Sequence, residues 1–306
     1  MRPKPFKAFL PSLKCIRGQV VFINTDKSRC DALVLSPSGE IILVPLPQLS
    51  LQRASELRTQ WIVLLREHSA RARGMAPSQL SHDSSTPLHR ILERIWTWIV
   101  GPVLQALKLV IDPADADHRR SRITWCPTGP VTQLPLHAAG MYSDPVGPRA
   151  YDLVVSSYTP SLSALLRNYE SAAMHPPTPN MLIVTQPNTP RLGLPLPYTM
   201  KEAVRENIGQ YPWVHFACHG SQDPMDATKS AFELYHSPLT LADLMGTAAD
   251  NAELAFLSAC QTAVGDDKAP EESAHLAAGM LAVGFRGVVA TMWSIRDADA
   301  PVVVKA

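Results

Sequence analysis

An α/β fold is what this 306-residue sequence predicts: a mostly parallel sheet flanked by helices, preceded by an N-terminal β-hairpin and helical region. Three observations predict it. Short apolar runs recur through the second half, as MLIVT (181–185), VHFAC (214–218), LAFLSA (254–259) and GVVATM (287–292). Helix-type patterns separate them, and strand–helix alternation of this kind builds an open parallel sheet. Near the N-terminus, two β-branched runs flank Ser36-Pro37-Ser38-Gly39, a turn composition that joins strands into a hairpin.

The elements follow in order. Residues 1–17 are basic and proline-punctuated, a lead-in with no continuous apolar stretch and so no secretory signal. Gln19–Asn24 is a strand, and Asp31–Leu35 with Glu40–Val44 forms the hairpin. Leu51, Ala54, Leu57, Trp61 and Leu64 recur at helical spacing within 50–68. The Ser-, Pro- and Arg-rich stretch 69–87 is a surface loop. Residues 88–109 supply helix, broken near Gly101-Pro102 because proline lacks the N–H that a helix interior needs. The apolar part of this segment, 95–107, is too short to span a bilayer. Strands follow at Arg122–Cys126 and Leu153–Ser157, then a helix at Leu162–Tyr169. A short helix is expected around Thr199–Ile208. Thr240-Leu241-Ala242-Asp243 matches a capping box opening a helix to about Ala248, and Glu271–Val283 is a helix stopped by Gly284. Two parts are expected: 1–120, the hairpin and helical part, and 121–306, the α/β core.

Composition narrows the function classes. With 46% hydrophobic and 18% charged residues the chain is globular rather than disordered. A formal net charge of +1 supplies no bulk attraction to nucleic acid or to an anionic membrane, so neither is expected as a partner. Five scattered cysteines, without a CxxC pair or zinc spacing, fit a reducing intracellular setting and no metal site. No Walker loop, GxGxxG or GxSxG is present, and no cofactor is expected.

In parallel sheets, functional groups gather beyond the carboxyl ends of strands. His219-Gly220 ends one expected strand and Cys260-Gln261 ends the next, with one crossover between them. Neighbouring strands lie about 4.8 Å apart, so an imidazole and a thiol at adjacent tips can face each other as base and nucleophile. Gly220, without a side chain, lets its N–H approach a carbonyl closely; with the N–H of Cys260 it forms a candidate oxyanion hole. Cys218 alternates onto the face of Val214 and Phe216 and is read as a packed thiol. His215 is read as a satisfied structural histidine, and His137 and His275 as packing residues.

VHFACHG (214–220) and LAFLSACQTAVGD (254–266) resemble the paired motifs of the CHAT domain family, caspase-clan cysteine peptidases often found beside tetratricopeptide repeats. SPLTLADL (237–244), HLAAGMLAVGFRGVVATMWSIRDADAPVV (275–303), ITWCPTGPVTQLPLHAAG (123–140), VVSSYTPSLSALL (154–166) and KSRCDALVL (27–35) extend the resemblance. It implies a caspase-like sheet, His219 and Cys260 as a catalytic dyad, and peptide hydrolysis through a thioester. It also implies an extended substrate along the strand after Met292, near Trp293 and Ser294. Asp266 is a further candidate in substrate binding, through selection of a basic side chain, although acidic loop residues are more often simply solvated. A protein or peptide substrate is the expected partner, with an upstream repeat domain or regulatory protein as a second. The sequence departs from the family pattern twice. Only 26 residues separate Gln186 from Trp213, too few for the usual helix, strand and helix. Only 13 follow Trp293, too few for a further crossover and closing strand. A shortened core is therefore expected, with a catalytically silent interaction module as the alternative to a peptidase.

Overall fold

The computed structural model describes residues 6–74, 86–109, 120–171, 180–185, 200–221, 223, 226–234, 237–247, 252–258 and 276–291. The chain divides into two compact units, Met1–Ala173 and Met174–Ala306.

In the first unit a 3-10 turn runs into α1 (Leu10–Leu13), followed by β1 (Gln19–Thr25), β2 (Cys30–Leu35) and β3 (Ile41–Pro45). Then come α2 (Leu51–Gly74), α3 (Pro87–Ile95), a π-helical turn (Trp96–Val100) and α4 (Gly101–Ala106). β4 (Ser121–Pro127), α5 (Ala150–Leu153), β5 (Val154–Tyr158) and α6 (Leu162–Ser171) complete it. The expected hairpin is β2–β3, paired Leu35↔Ile41 and turned by Gly39 at φ +87°, a backbone region that glycine enters without steric cost. Its sheet runs β3-β2-β1-β4-β5, antiparallel on the hairpin side of β1 and parallel on the other. The sequence-based division at 120–121 separates β1–β3 from β4 and β5, which strand pairing joins in one sheet. Apolar runs mark strands but do not name their partners.

The expected break near Gly101-Pro102 is absent. The N–H of Gly101 donates to Trp96 O, five residues back, and α3 continues through the π turn into α4. The wider turn accommodates the proline ring and its missing donor without ending the helix. Part of the loop expected over 69–87 is helical instead: α2 persists to Gly74, and Pro87 opens α3 behind the Thr86 N-cap, while 75–85 lie outside the described residues.

In the second unit β6 (Met181–Thr185), α7 (Lys201–Asn207) and β7 (Trp213–Ala217) are followed by three very short strands: β8 (His219–Ser221), β9 (Ala231–Glu233) and β10 (Leu239–Thr240). α8 (Leu241–Met245), β11 (Leu254–Leu257), α9 (Leu276–Val283) and β12 (Gly287–Ala290) close the described part. β12-β11-β7-β6 is a wholly parallel sheet, and β10-β9-β8 is a small antiparallel one. β6 pairs directly with β7, and among the described residues α7 and a short 3-10 turn are the structure between them. The short connection therefore brings neighbouring strands together.

Strand order follows chain order across this parallel sheet. Right-handed crossovers in that case place every connecting helix on the same face. Val204 of α7, Leu241 and Leu244 of α8, and Leu276, Met280 and Val283 of α9 accordingly share one core with Leu182, Val184, Val214, Phe216, Ala255 and Leu257. β6 reads as apolar throughout, as a strand buried on both faces would, yet Met181 and Ile183 are 42% and 52% exposed. The alternation shows that one face of this strand is covered by described residues and the other is not.

The capping box at the head of α8 forms as expected. Thr240 Oγ1 accepts from the Asp243 N–H, and the Thr240 N–H donates to Asp243 Oδ2. Lys201 of α7 adds an ion pair to the same carboxylate at 2.7 Å. Burial pulls the Asp243 carboxyl upward, but hydrogen bonds from Lys201 and Thr240 outweigh it and hold the pKa down at about 2. A depressed carboxyl stabilises the fold above its unfolded pKa and loses that contribution as pH falls through the folded value. Asp243→Asn is expected to cost about 1–2 kcal/mol at neutral pH. Denaturant titrations should show the gap from wild type shrinking between about pH 4 and pH 2.

Candidate active site

The amino ends of β7, β11 and β12 are tied together by Glu253. Its Oε2 accepts from Trp213 Nε1 at 3.1 Å, its Oε1 pairs with Arg286, and its backbone oxygen accepts from the Gly287 N–H. This junction helps fix the register, which runs Trp213↔Leu254 to Phe216↔Leu257 between β7 and β11. At the other end the Ser258 N–H donates to Phe216 O at 2.9 Å, so the two strands remain together to their carboxyl tips. The expectation that these two strands are parallel neighbours is met.

His215 lies within β7, between Ile183 of β6 and Phe256 of β11, on the face opposite Val214 and Phe216. Its Nε2 shares a 2.7 Å hydrogen bond with Ser258 Oγ, and its ring meets Phe256 edge-on at 5.1 Å. Burial lowers its pKa from the usual histidine range, which favours a neutral ring. Its ring is hydrogen-bonded and packed, as expected of a structural histidine part-way down the strand. His137 is likewise partnered, with Nδ1 2.9 Å from the Tyr158 hydroxyl. His275 lies outside the described residues.

Cys218 follows β7 and is buried, its side chain joining the core of Phe216 and Phe232. Burial, reinforced by the Glu233 carboxylate, pushes its thiol up to about 12. A thiol held protonated in this way is a poor nucleophile. Cys126 is similar, pushed up to about 11 by burial.

The chain then changes sheets. His219 does not end β7, as the sequence reading held; β7 stops at Ala217, and His219 opens β8, whose partner is β9. The physical reason is that β8 leaves the parallel ladder at Cys218 and satisfies its backbone by antiparallel pairing, His219↔Glu233, Gly220↔Phe232 and Ser221↔Ala231. Strands of three residues are too short to announce themselves by alternation. Gly220 is thus held in register by Phe232, whose ring stacks on Phe216 with centroids 4.2 Å apart. The small sheet is anchored to β7 through this aromatic pair. Ser221 Oγ donates to Glu233 Oε1 at 2.5 Å. Glu233, which sequence reasoning passed over, is a carboxylate on the residue paired with His219. Its only signal in the sequence would have been the short AFE strand itself.

Of the expected site residues, His219 and Gly220 have a described backbone at the start of β8. Cys260, Asp266, Trp293 and Ser294 lie outside the described residues. Among the described residues no group of three or more His, Cys, Asp or Glu side chains could hold a metal ion, and no helix is long and apolar enough to cross a membrane.

The comparisons bear on the same segment. No curated protein matches the chain. The strands and helices that lead to His219 and Cys260, from just before α7 to beyond β12, are covered by a family model: residues 197–304 match the CHAT domain, the family that the two motifs resemble.

Proposed function

We propose that the second unit is a caspase-like cysteine peptidase of CHAT type, with Cys260 as nucleophile and His219 as its proton-handling partner. One observation carries the reading: β7 and β11 are adjacent and parallel, and the chain leads from their carboxyl ends to His219 and Cys260. Paired residues of β7 and β11 are 41 positions apart throughout, and His219 and Cys260 have the same separation. In sequence, both residues therefore come three positions after the last paired residues of the two strands, Phe216 and Leu257. The CHAT match over 197–304 spans both and supports the assignment.

In this reading the Cys260 thiolate attacks the scissile carbonyl and the oxyanion forms against the N–H groups of Gly220 and Cys260. Each such donor contributes roughly 10²–10³ in rate. His219 gives a proton to the departing amine, leaving a thioester. Water then attacks the thioester, His219 takes its proton, and the acid product and free thiol are released. The peptide lies extended beside the segment after Met292, with Trp293 and Ser294 along its path and Asp266 favouring a basic side chain. Among the free cysteines described, Cys15 is exposed while Cys30, Cys126 and Cys218 are buried.

A peptide bearing a thiol-directed electrophile tests this in a Cys15→Ser background, which removes the exposed competitor. One equivalent should be incorporated, and Cys260→Ala should abolish it. Incorporation that survives Cys260→Ala sinks the proposal. A cooperatively folding chain that takes up no label favours the silent interaction module.

A further inference from the structure

Arg17, Arg120 and Arg122 line one groove of about 630 Å³ in the first unit, together with Gly18 and Val155. The geometry that gathers them is written into the strand register. β1 and β4 run parallel with Gln19 opposite Ile123, and β4 and β5 run parallel with Arg122 opposite Val155. The groove therefore lies across the amino ends of three adjacent parallel strands. Gly18 closes the first of these ends: a Cβ there would sit 2.1 Å from the carbonyl oxygen of Arg122, and its φ is +104°. No side chain fits that contact, and L residues avoid that backbone region. The glycine thus lets the Arg17 backbone approach Arg122 more closely than any other residue would.

Among the described residues no acidic side chain balances the charge in the groove. All three arginines are exposed, and among the described residues no carboxylate forms an ion pair with any of them. Elsewhere in the described chain basic side chains do find acids, as Arg29 finds Asp31, Lys201 finds Asp243 and Arg286 finds Glu253. With a net charge of +1 the chain has no general excess of positive charge, so this concentration is local. Like charges sharing one groove repel, and an anion placed among them removes that cost. Guanidinium groups carry their charge at every working pH and present a planar fork that matches phosphate oxygens in pairs. The groove's volume falls within the range of small-molecule sites, and Val155, 42% exposed, supplies an apolar wall.

We propose that this groove binds the phosphate groups of a small soluble ligand with more than one phosphate, independently of the reaction assigned to the second unit. Inorganic tripolyphosphate is the probe, titrated calorimetrically into the full chain at low and at moderate salt. Saturable one-to-one binding is expected, weakening as salt rises. Arg122→Gln and Arg17→Gln should each weaken it by about tenfold or more, the scale of one charge-assisted contact. Arg122→Lys, which keeps the charge but loses the fork, should fall between wild type and Arg122→Gln. Arg90→Gln, at an exposed position of α3, should leave binding unchanged, and thermal melts should show each variant folded. Absent or non-saturable binding overturns the proposal, and so does equal weakening by Arg90→Gln. Binding to vesicles of anionic phospholipid without binding to tripolyphosphate also overturns it, since the groove would then read a membrane surface.

Discussion

Replacing His219 with alanine is expected to lower peptide cleavage by roughly 10²–10⁴-fold, the usual scale of a positioned general acid–base, while leaving the melting temperature close to that of wild type. The two chemical tasks assigned to the histidine respond differently to pH, which makes the prediction sharper than loss of activity alone. An unassisted cysteine titrates near 8.5, so at pH 7 only a few per cent is thiolate. Raising the pH to about 9 ionises the thiol without help, and alkylation of Cys260 by a small electrophile should largely recover in His219→Ala. Amide cleavage should not recover, because the departing amine still lacks a proton donor. Wild type and variant therefore converge in alkylation rate at high pH and remain apart in hydrolysis. If hydrolysis recovers along with alkylation, His219 serves only to ionise the thiol and some other group protonates the amine. If neither rate changes at any pH, the assigned role is wrong.

The parts of the fold that were legible in the sequence are those decided by neighbours in the chain. The hairpin of β2 and β3 is announced by its turn, whose Gly39 takes the positive φ that the connection requires. The head of α8 is announced by Thr240 and Asp243, three positions apart and reciprocally bonded. The adjacency of β7 and β11 was legible too, because one crossover between parallel strands leaves few other arrangements. Less legible were features settled at a distance. Nothing local in RITWC or LVVSS says that β4 will lie beside β1 and β5 beside β4, yet the registers Val20↔Thr124 and Arg122↔Val155 put them there. MLIVT is apolar at every position, so its composition could not reveal that Ile183 faces away from the helices. β8, β9 and β10 are three, three and two residues long, below the length at which a period of two can be seen. That last limit matters most for the candidate site. It is why His219 was read as the end of one strand when its backbone belongs to the start of another.

The change of sheet at Cys218 makes Phe232 a residue on which stability and the candidate site both depend, and Phe232→Ala is expected to cost about 3–5 kcal/mol. The ring is fully buried in the core of the second unit and stacks on Phe216 at an interplanar angle of 10°. Its loss removes both the transfer energy of a large apolar group and the aromatic pair, and leaves a cavity between β7 and β9. A loss of this size should lower the melting temperature by about 10–20 °C. Val289→Ala, at a position 45% exposed, should cost less than about 0.5 kcal/mol and serves as the control. The effect on the site should exceed the effect on folding. Phe232 pairs with Gly220, and among the described residues β9 is the only strand partner of β8. With the aromatic anchor gone, the backbone that carries His219 and Gly220 loses the largest side chain tying its partner strand to β7, and only the smaller Leu234 and Leu239 remain described as packed in that core beside β9. Cleavage measured well below the melting temperature, where the variant remains folded, should therefore drop at least tenfold, chiefly in kcat. Phe232→Leu, which keeps most of the buried volume, should restore much of both. If Phe232→Ala melts early but cleaves normally while folded, the small antiparallel sheet is a passenger on the core. The placement of His219 would then have to come from the parallel sheet alone.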